Sequence, residues 1–517
     1  MARSRRGRWR AGLGIAAVLA LAGCTAAGDA PWRQGPSSEV ASSAPVASPP
    51  PSELPSQPRV DVGYRMPRLG LEEAPGLVAR LAAMSAPEFT VVARWATPPG
   101  DSMIGDALDA RFAEAVRGFA AEHGAAWTPG VDVAPGGVGD ACARQPLTTA
   151  GGASLTVDCS IVMASGTVLG ERLIVIRRDG DRATSVDRST WYTDAATGEL
   201  GDGTALFRPG AEARVLALFA EALRAASLAG VPDPFASYTS DEVHGLLADT
   251  VVTADDVVVP VPLIRTAGRS HQAVAVLVPA RLVVPFLSPL GLAVHAAAVD
   301  AAPFEPPSAP TGADGVDCTL VACVSITFDD GPTGLTDELV DTLRALRAPA
   351  TFFVLGVNVQ RRPDEVRRLV EEEHELGNHT WGHPYLTKLP DPEVRDEIAR
   401  TQAEIRAVSG VVPRSLRPPY GDMDQRVRDL AGLPMVVWDV DTNDWQSPGA
   451  AVVAERAVSG ASRGSIVLMH DTHEETVAAV PDVVEGLRDR GFTLATVSEQ
   501  FGGTLPGPGE NVSHGPR

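Results

Sequence analysis

The chain has 517 residues, of which 44% are hydrophobic and 21% are charged, and its formal net charge is −21. This length exceeds what one hydrophobic core usually organises, so we expect two or more domains. The acidic balance excludes a nucleic-acid-binding protein that relies on a basic surface. Five cysteines are too few for a disulfide scaffold and too scattered for a zinc ribbon.

The N-terminus predicts the compartment. Five arginines within residues 1–10 precede a mostly apolar run, 11–22, which is too short to cross a bilayer core of about 30 Å. The run ends in Leu-Ala-Gly-Cys at 21–24, which resembles the bacterial lipoprotein signal. The resemblance implies a signal peptide over 1–23 and a lipidated Cys24 that anchors the protein to the cell membrane, facing the cell wall; ordinary cleavage beside an incidental cysteine is the alternative. Removing the signal removes five arginines and no acidic residue, so the net charge goes from −21 to −26.

The cysteines beyond the signal are even in number, which outside the cytoplasm suggests two disulfide bridges. Four cysteines allow three connectivities. Among these we predict the local pairing, Cys142–Cys159 and Cys318–Cys323. Reduced pairs are the alternative.

Composition divides the chain into regions. Residues 24–59 are rich in serine and proline and are typical of an extended tether. A second Pro-rich stretch, 299–316, is a predicted linker. It separates an accessory region, 60–298, from a C-terminal region, 317–500, and we expect a flexible Gly/Pro tail over 501–517.

The accessory region mixes two kinds of pattern. Residues 104–123 and 210–228 have helical periodicity, whereas 155–162, 172–177 and 251–260 are strand-like. The mixture predicts a small α+β domain. Its histidines are far apart and lack ligand spacing, so no site is expected there.

The C-terminal region alternates apolar strand-like runs with helix-like runs, which predicts parallel β/α units. Polar residues follow the strands, where such folds build their sites. The strand-like runs are Cys323–Phe328, Ala350–Leu355, Met435–Val440, Ser465–Met469 and Phe492–Val497. The helix-like runs are Leu335–Arg347, Pro363–Glu375, Pro392–Ser409 and Glu474–Arg490.

The first two of five motifs offer metal ligands. Residues 327–332 read Thr-Phe-Asp-Asp-Gly-Pro, and the two adjacent carboxylates point different ways because side chains alternate along a strand. One can bind a metal while the other acts on a water; turn capping is the alternative. Residues 379–383 read His-Thr-Trp-Gly-His, in a context that favours a loop. No glutamate of the HExxH type lies between the two histidines, so a zinc-protease interpretation lacks its general base.

Three further motifs follow. Residues 417–421, Arg-Pro-Pro-Tyr-Gly, indicate a stiff loop, and 441–445, Asp-Thr-Asn-Asp-Trp, come directly after a strand. Residues 468–471, Leu-Met-His-Asp, place a histidine at the exit of an apolar strand, where a nearby carboxylate can keep it protonated as a general acid. The side chains left over, which we interpret as supporting or surface groups, are Asp441, Asp471 and His473.

The five motifs in this order resemble the polysaccharide deacetylase domain, also called the NodB-homology domain or carbohydrate esterase family 4, over residues 318–500. The resemblance implies a distorted, incomplete (β/α) barrel. The expected architecture is therefore α/β, with this barrel at the C-terminus and a separate, smaller α+β domain before it. Relatives carry a cysteine pair before the TFDDG motif, which supports the Cys318–Cys323 bridge. Residues 191–207 are loosely similar to the domain that precedes the catalytic domain in some multidomain peptidoglycan deacetylases.

Position by position, the resemblance implies a metal site. Asp330, His379 and His383 match its ligands, two nitrogens and one oxygen, a set that suits Zn²⁺ and leaves Co²⁺ possible. Asp329 matches the base that deprotonates the activated water. Arg417 matches the residue that orients this base.

The remaining roles concern the leaving group and the acetyl group. His470 matches the general acid that protonates the leaving amine, and Asp444 matches its carboxylate partner. The backbone N–H of Tyr420 matches the oxyanion donor. The residues expected to contact substrate, the last two as apolar walls around the acetyl methyl, are Pro419, Tyr420, Trp445 and Leu468.

The sequence thus predicts a lipid-anchored, metal-dependent deacetylase that removes N-acetyl groups from peptidoglycan, at N-acetylglucosamine or N-acetylmuramic acid. Deacetylation of chitin or chitooligosaccharides, or O-deacetylation of xylan, is the alternative within enzymes. A wall-binding or sensory lipoprotein with a degenerate deacetylase domain is the alternative outside them.

Overall fold

The computed structural model describes residues 57–70, 73–98, 103–134, 137–138, 142, 152–225, 245–261, 274–305 and 315–516. The predicted signal peptide, the lipidation site Cys24 and almost all of the tether lie outside these residues. Within them, no helix has the length and apolar character needed to span a bilayer.

The accessory region begins with a six-stranded sheet in the order β2-β3-β4-β5-β6-β7. Only β3 and β4 run parallel, and helix α1 provides the crossover that a parallel pair requires. Leu108, Phe112 and Val116 recur every four residues on one face of α1 and are buried, with the Phe112 ring 4.6 Å from that of Trp95. The elements are β2 Val78–Ser85, β3 Phe89–Thr97, α1 Met103–Glu122, β4 Ala153–Ser165, β5 Val168–Asp179, β6 Arg182–Asp194 and β7 Glu199–Asp202.

A second, antiparallel sheet has the order β1-β10-β9-β8 and packs around Phe219 and Val276. The Cys142–Cys159 disulfide joins Cys142 to β4. Both sheets and their helices form an α+β arrangement. The elements are β1 Arg59–Val62, α2 Glu212–Ala225, β8 Val251–Val252, β9 Asp256–Val261, β10 Val274–Pro279, α3 Ala280–Val283 and α4 Pro289–Asp300.

The C-terminal region is built on a parallel sheet in the order β13-β12-β11-β16-β15, with β17 added beside β11. Most of its strand residues are buried, as expected for parallel strands covered by helices on both faces. The protein is therefore a mixed α/β structure. A closed barrel is not confirmed: the paired strands run from β13 to β15, and beyond β13 only single bridges, from Asn378 to Leu416 and from Leu416 to Met435, continue toward β14.

The bounds of these elements show where the strands that carry the predicted site residues end. The strands are β11 Cys323–Asp329, β12 Thr351–Val354, β13 Glu375–Asn378, β14 Met435–Val436, β15 Val440–Asp441, β16 Ile466–His470, β17 Thr493–Leu494 and β18 Asn511–Val512. The helices are α5 Thr336–Leu346, α6 Gly356–Arg361, α7 Pro363–Glu371, α8 Asp391–Ser409, α9 Gln425–Ala431, α10 Ala450–Gly460, α11 Glu474–Asp489 and α12 Val497–Gln500.

The accessory region does not have a core of its own throughout. Cys323 and Ala495 of the C-terminal region belong to the same buried cluster as Trp95. Arg490 forms an ion pair of 2.9 Å with Asp132, and Arg347 donates to the carbonyl of Leu77. The two regions thus share this buried cluster, whereas the cluster around Phe219 lies in the accessory region and that around Phe352 in the C-terminal region.

The C-terminal tail also departs from the prediction of flexibility. Strand β18 pairs in parallel with β14, and the amide of Met435 donates to the carbonyl of Glu510 at 2.8 Å. Gly/Pro composition predicted a loose segment, but the free edge of β14 supplies hydrogen-bond partners that hold it.

Candidate active site and metal centre

The ends of neighbouring parallel strands bring the predicted motifs together. Asp329, the last residue of β11, lies opposite His470, the last residue of β16. Strand β13 pairs with β12 and ends at Asn378, directly before His379. Because the carboxyl ends of parallel strands meet at one edge of a sheet, the first, second and fifth motifs share that edge.

Asp330, His379 and His383 form a compact cluster whose candidate ligand atoms all lie within 4.8 Å of one another. The Nε2 atoms of His379 and His383 are 3.4 and 3.3 Å from Oδ1 of Asp330. This Oδ1 is buried and accepts no hydrogen bond from the described residues. A buried acidic oxygen facing two imidazole nitrogens fits a divalent cation, and the N₂O set suits zinc.

The protonation of the cluster favours metal binding. Nδ1 of His379 lies 2.7 Å from the carbonyl oxygen of Arg417, which fixes the proton on Nδ1 and leaves the lone pair of Nε2 facing Asp330. Burial raises the pKa of Asp330, but the two histidines outweigh it and lower that pKa to about 2. Burial and His379 lower the pKa of His383. At neutral pH the cluster therefore offers the carboxylate of Asp330 and the unprotonated imidazole of His383.

Backbone strain accompanies this cluster. Asp330, His383 and Tyr420 adopt positive φ angles of 72°, 63° and 62°. A left-handed conformation at a residue other than glycine costs roughly 1–2 kcal/mol. Such strain persists where the surrounding structure holds the side chains in place, as it does at functional sites.

Asp329 is aimed by a buried arginine. Its Oδ1 accepts from Arg417 at 2.8 Å, while its Oδ2 lies 3.6 Å from Nε2 of His379. Arg417 is fully buried, also donates to Thr327 Oγ1 at 2.7 Å, and its guanidinium lies 4.0 Å from the ring centre of Phe353. One oxygen of Asp329 is thus fixed and the other faces the metal cluster.

His470 and Asp444 form the second charged pair. Nδ1 of His470 lies 2.8 Å from Oδ1 of Asp444, whose carboxylate also accepts from the backbone N–H of His470 and from Thr476. Burial lowers the pKa of His470, but the hydrogen bond to Asp444 and the nearby carboxylates of Asp329 and Asp330 raise it to about 9. His470 is therefore protonated at neutral pH, as a general acid must be.

The predicted substrate-contacting residues differ in their exposure to solvent. Tyr420 and Trp445 are exposed, at 55% and 57%, whereas Leu468 is 4% exposed and Pro419 is buried. The ring centre of Tyr420 lies 4.5 Å from that of His383, so Tyr420 borders the metal cluster. Two aromatic side chains are thus open to a ligand.

Asp471, which the sequence predicts to be a supporting or surface group, lies beneath the metal cluster. It is fully buried, and an added Cβ at Gly331 would lie 2.5 Å from its Oδ2, so its carboxyl packs directly under the turn that carries Asp330. Its carboxyl also meets the hydroxyl of Thr336, and its carbonyl accepts from Thr333 Oγ1 at 2.8 Å. Burial raises the pKa of Asp471 to about 7. Its position directly after His470 at a strand end was the signal available in the sequence, whereas Asp441 is exposed.

Comparisons with known proteins find relatives of the C-terminal region. The family model described as polysaccharide deacetylase matches residues 317–433. Peptidoglycan-N-acetylglucosamine deacetylase PgdA of Listeria monocytogenes serotype 1/2a (strain 10403S) is 40% identical over 183 residues, which are 35% of this chain and 39% of that protein. Peptidoglycan-N-acetylmuramic acid deacetylase PdaC of Bacillus subtilis (strain 168) is 37% identical over 177 residues, 34% of this chain and 38% of that protein.

A third relative is matched along most of its length. Chitooligosaccharide deacetylase of Bradyrhizobium sp. (strain ANU 289) is 37% identical over 190 residues, which are 33% of this chain and 87% of that protein. The chain thus spans about two fifths of the two peptidoglycan deacetylases and most of the chitooligosaccharide deacetylase.

Proposed function

The chain belongs to the polysaccharide deacetylase family, hydrolases that act on the amide bonds of N-acetylated sugars, and from this premise we propose that it removes N-acetyl groups from peptidoglycan, at N-acetylglucosamine or N-acetylmuramic acid. Relatives named for both activities support the proposal. The single observation that carries it is the juxtaposition of a metal-ligand cluster, a carboxylate aimed at that cluster and a protonated histidine.

The cation would be held by Asp330, His379 and His383, and zinc is the ion we propose, with cobalt as the alternative. When bound there, such an ion lowers the pKa of water toward 7 and polarises the acetyl carbonyl.

Asp329 is the proposed base. Arg417 holds its Oδ1, so Oδ2 is the oxygen available to take a proton from the attacking water. The buried guanidinium also prevents this carboxylate from rotating away. The proton is thereby received on the side of Asp329 that faces the scissile amide.

His470 is the proposed acid. The amine of the sugar leaves poorly unless it is protonated, and His470 carries the required proton at neutral pH. Asp444 receives the opposite ring N–H and so directs Nε2 toward the site. We assign stabilisation of the developing oxyanion to the backbone N–H of Tyr420, and contacts with the acetylated sugar to Pro419, Tyr420, Trp445 and Leu468.

We further propose that the protein acts outside the cell membrane. The signal-like N-terminus, the cysteine at its end and the Ser/Pro-rich tether support a lipid anchor at Cys24. The net charge of −26 after removal of the signal offers no general attraction to anionic wall polymers. Capture of substrate would rest on the anchor and on the active-site groove.

Deacetylation of chitooligosaccharides is the second candidate, supported by the relative that matches along 87% of its length. Acetate release separates the two. Residues 24–517 loaded with Zn²⁺ should release acetate from peptidoglycan faster than from chitooligosaccharides, and Asp329→Asn should abolish release.

Asp441→Asn is a matched control, because Asp441 is an exposed aspartate at the end of β15. We expect this variant to retain activity. Absence of acetate from every N-acetylated glycan, with metal bound, would contradict the proposal. Preference for chitooligosaccharides would favour the second candidate.

A further inference from the structure

An exposed aromatic stack extends outward from the metal cluster. The rings of Tyr385 and Tyr420 are nearly parallel, at 12°, with centres 4.0 Å apart, and they are 41% and 55% exposed. Tyr420 in turn contacts the ring of His383. Rings stacked in this way cover each other's inner faces and leave their edges exposed, which gives an apolar rim beside the cluster.

A positive charge lies at the outer end of this stack. Nζ of Lys388 is 3.6 Å from the ring centre of Tyr385, a cation–π contact. Lys388 is the only lysine among the 517 residues of an acidic chain. Its side chain is exposed, and no carboxylate of the described residues forms an ion pair with it.

The turn that carries Tyr385 and Lys388 is held in place from below. The backbone N–H and hydroxyl of Thr387 both donate to Asp422, each at 2.9 Å. Arg426 donates to the carbonyls of Leu386, Thr387 and Leu389, and Leu386 is fully buried. An exposed turn with this many contacts presents its side chains in a fixed arrangement.

Such fixation has a consequence for binding. Ordering a long side chain on ligand binding costs conformational entropy, and a side chain already held against a ring loses less of this freedom. Lys388 is therefore prepared to receive an anion rather than to move freely in solvent. Because the neighbouring Arg426 is paired with Asp391, Lys388 is the cation of this turn that remains available.

We propose that Tyr385 and Lys388 form a subsite for a sugar adjacent to the residue being deacetylated, and that this subsite selects glycans that carry a carboxylate. The exposed edges of the stacked rings contact C–H groups of the sugar, and the ammonium group pairs with a carboxylate of the strand. The inference rests on the proposed function and deepens it. It separates peptidoglycan, whose lactyl groups or stem peptides supply carboxylates, from chitooligosaccharides, which are neutral.

The test compares binding of three probes to the full chain from residue 24. The probes are chitooligosaccharides, peptidoglycan strands with intact stem peptides, and strands freed of stem peptides by an amidase. Dissociation constants are measured by calorimetry at low ionic strength in an Asp329→Asn background, so that no probe is consumed. Because binding is measured without turnover, failure of the proposed activity and failure of this subsite are distinguishable.

Lys388→Met keeps the length of the side chain and removes its charge. We expect the preference for anionic over neutral glycan to fall about three- to fivefold, as for one exposed ion pair, and to fall less at high salt. Lys388→Arg should restore it. Tyr385→Ala should weaken the binding of all three probes. Arg406→Met is the charge-matched control, since Arg406 is an exposed cation in the last turn of α8, the turn distant from Lys388.

Each outcome decides the question. If Lys388→Met loses the preference over neutral glycan only for amidase-treated strands, the carboxylate is that of the lactyl group. If it loses the preference only for intact strands, the carboxylate is that of the stem peptide. An unchanged preference in Lys388→Met, or an equal change in Arg406→Met, would overturn the inference.

Discussion

Substitution of Asp444 by asparagine tests the assignment of the acid most directly. Asp444 is fully buried and accepts the ring N–H of His470 at 2.8 Å. Asparagine keeps the shape of the side chain and removes the charge. We therefore expect Asp444→Asn to lower the pKa of His470 while leaving the cluster of Asp330 in place.

The size of the effect follows from the balance of forces on His470. Burial lowers its pKa, and the contact with Asp444 is the foremost of the interactions that raise it to about 9. Without that charge the pKa should fall to its ordinary value of about 6.5 or below. At pH 8 the protonated fraction would then drop from ~90% to ~3%, a roughly 30-fold loss of the acid form.

The assay is acetate release by wild type and variant across pH 6 to 10. Both carry the same metal load, because a bound cation then offsets the effect of Asp330 on the pKa of His470 equally in the two proteins. The rate should fall as pH rises through the pKa of His470. The alkaline limb of Asp444→Asn should lie at least about one pH unit below that of wild type. An alkaline limb that does not move would refute His470 as the acid, even if the rate is lower throughout.

Three further changes have defined outcomes. Burial raises the pKa of Glu171 to about 8, so this carboxyl stabilises the fold only while it is protonated, and the Tm of wild type should fall as pH rises from about 4.5 to about 8. Glu171→Gln should abolish this pH dependence of the Tm. Gly331→Ala should cost about 1–3 kcal/mol of unfolding free energy and reduce bound zinc, because its Cβ would meet the carboxyl of Asp471 at 2.5 Å; Gly118→Ala, with open space around its Cβ, is the control and should not destabilise. His379→Ala should lower zinc affinity at least about 100-fold by equilibrium dialysis, and chelation of wild type should abolish acetate release; undiminished affinity would contradict the ligand assignment.

Strand runs with strong apolar character were predictable from the sequence. The prediction over 323–328 corresponds to β11, and that over 465–469 to β16. Helix periodicity over 104–123 likewise corresponds to α1. The two strands are buried on both faces and the helix along one face, so their patterns are strong enough to be recognised without tertiary information.

Long-range partners were harder to predict. The tail at β18 was interpreted as flexible because glycine and proline dominate it, but it is held by the edge of β14. The α+β region was expected to be separate, yet Cys323 lies in its core. Hydrophobic patterns report that a residue is buried and do not report which segment buries it.

Strand β13 shows how one such partner determines the site. The sequence assigned its first residue, Glu375, to the end of a helix, because Glu-Leu-Gly-Asn lacks the β-branched and aromatic residues that favour strands. Pairing with β12 overrides this preference. An added Cβ at Gly377 would lie 2.3 Å from the ring of Phe353, so glycine is what allows β13 to pack against that ring. The same ring lies under the guanidinium of Arg417, whose carbonyl fixes the tautomer of His379. A residue with no side chain thus helps to place both a metal ligand and the arginine that orients the base, and no motif in the sequence contains it.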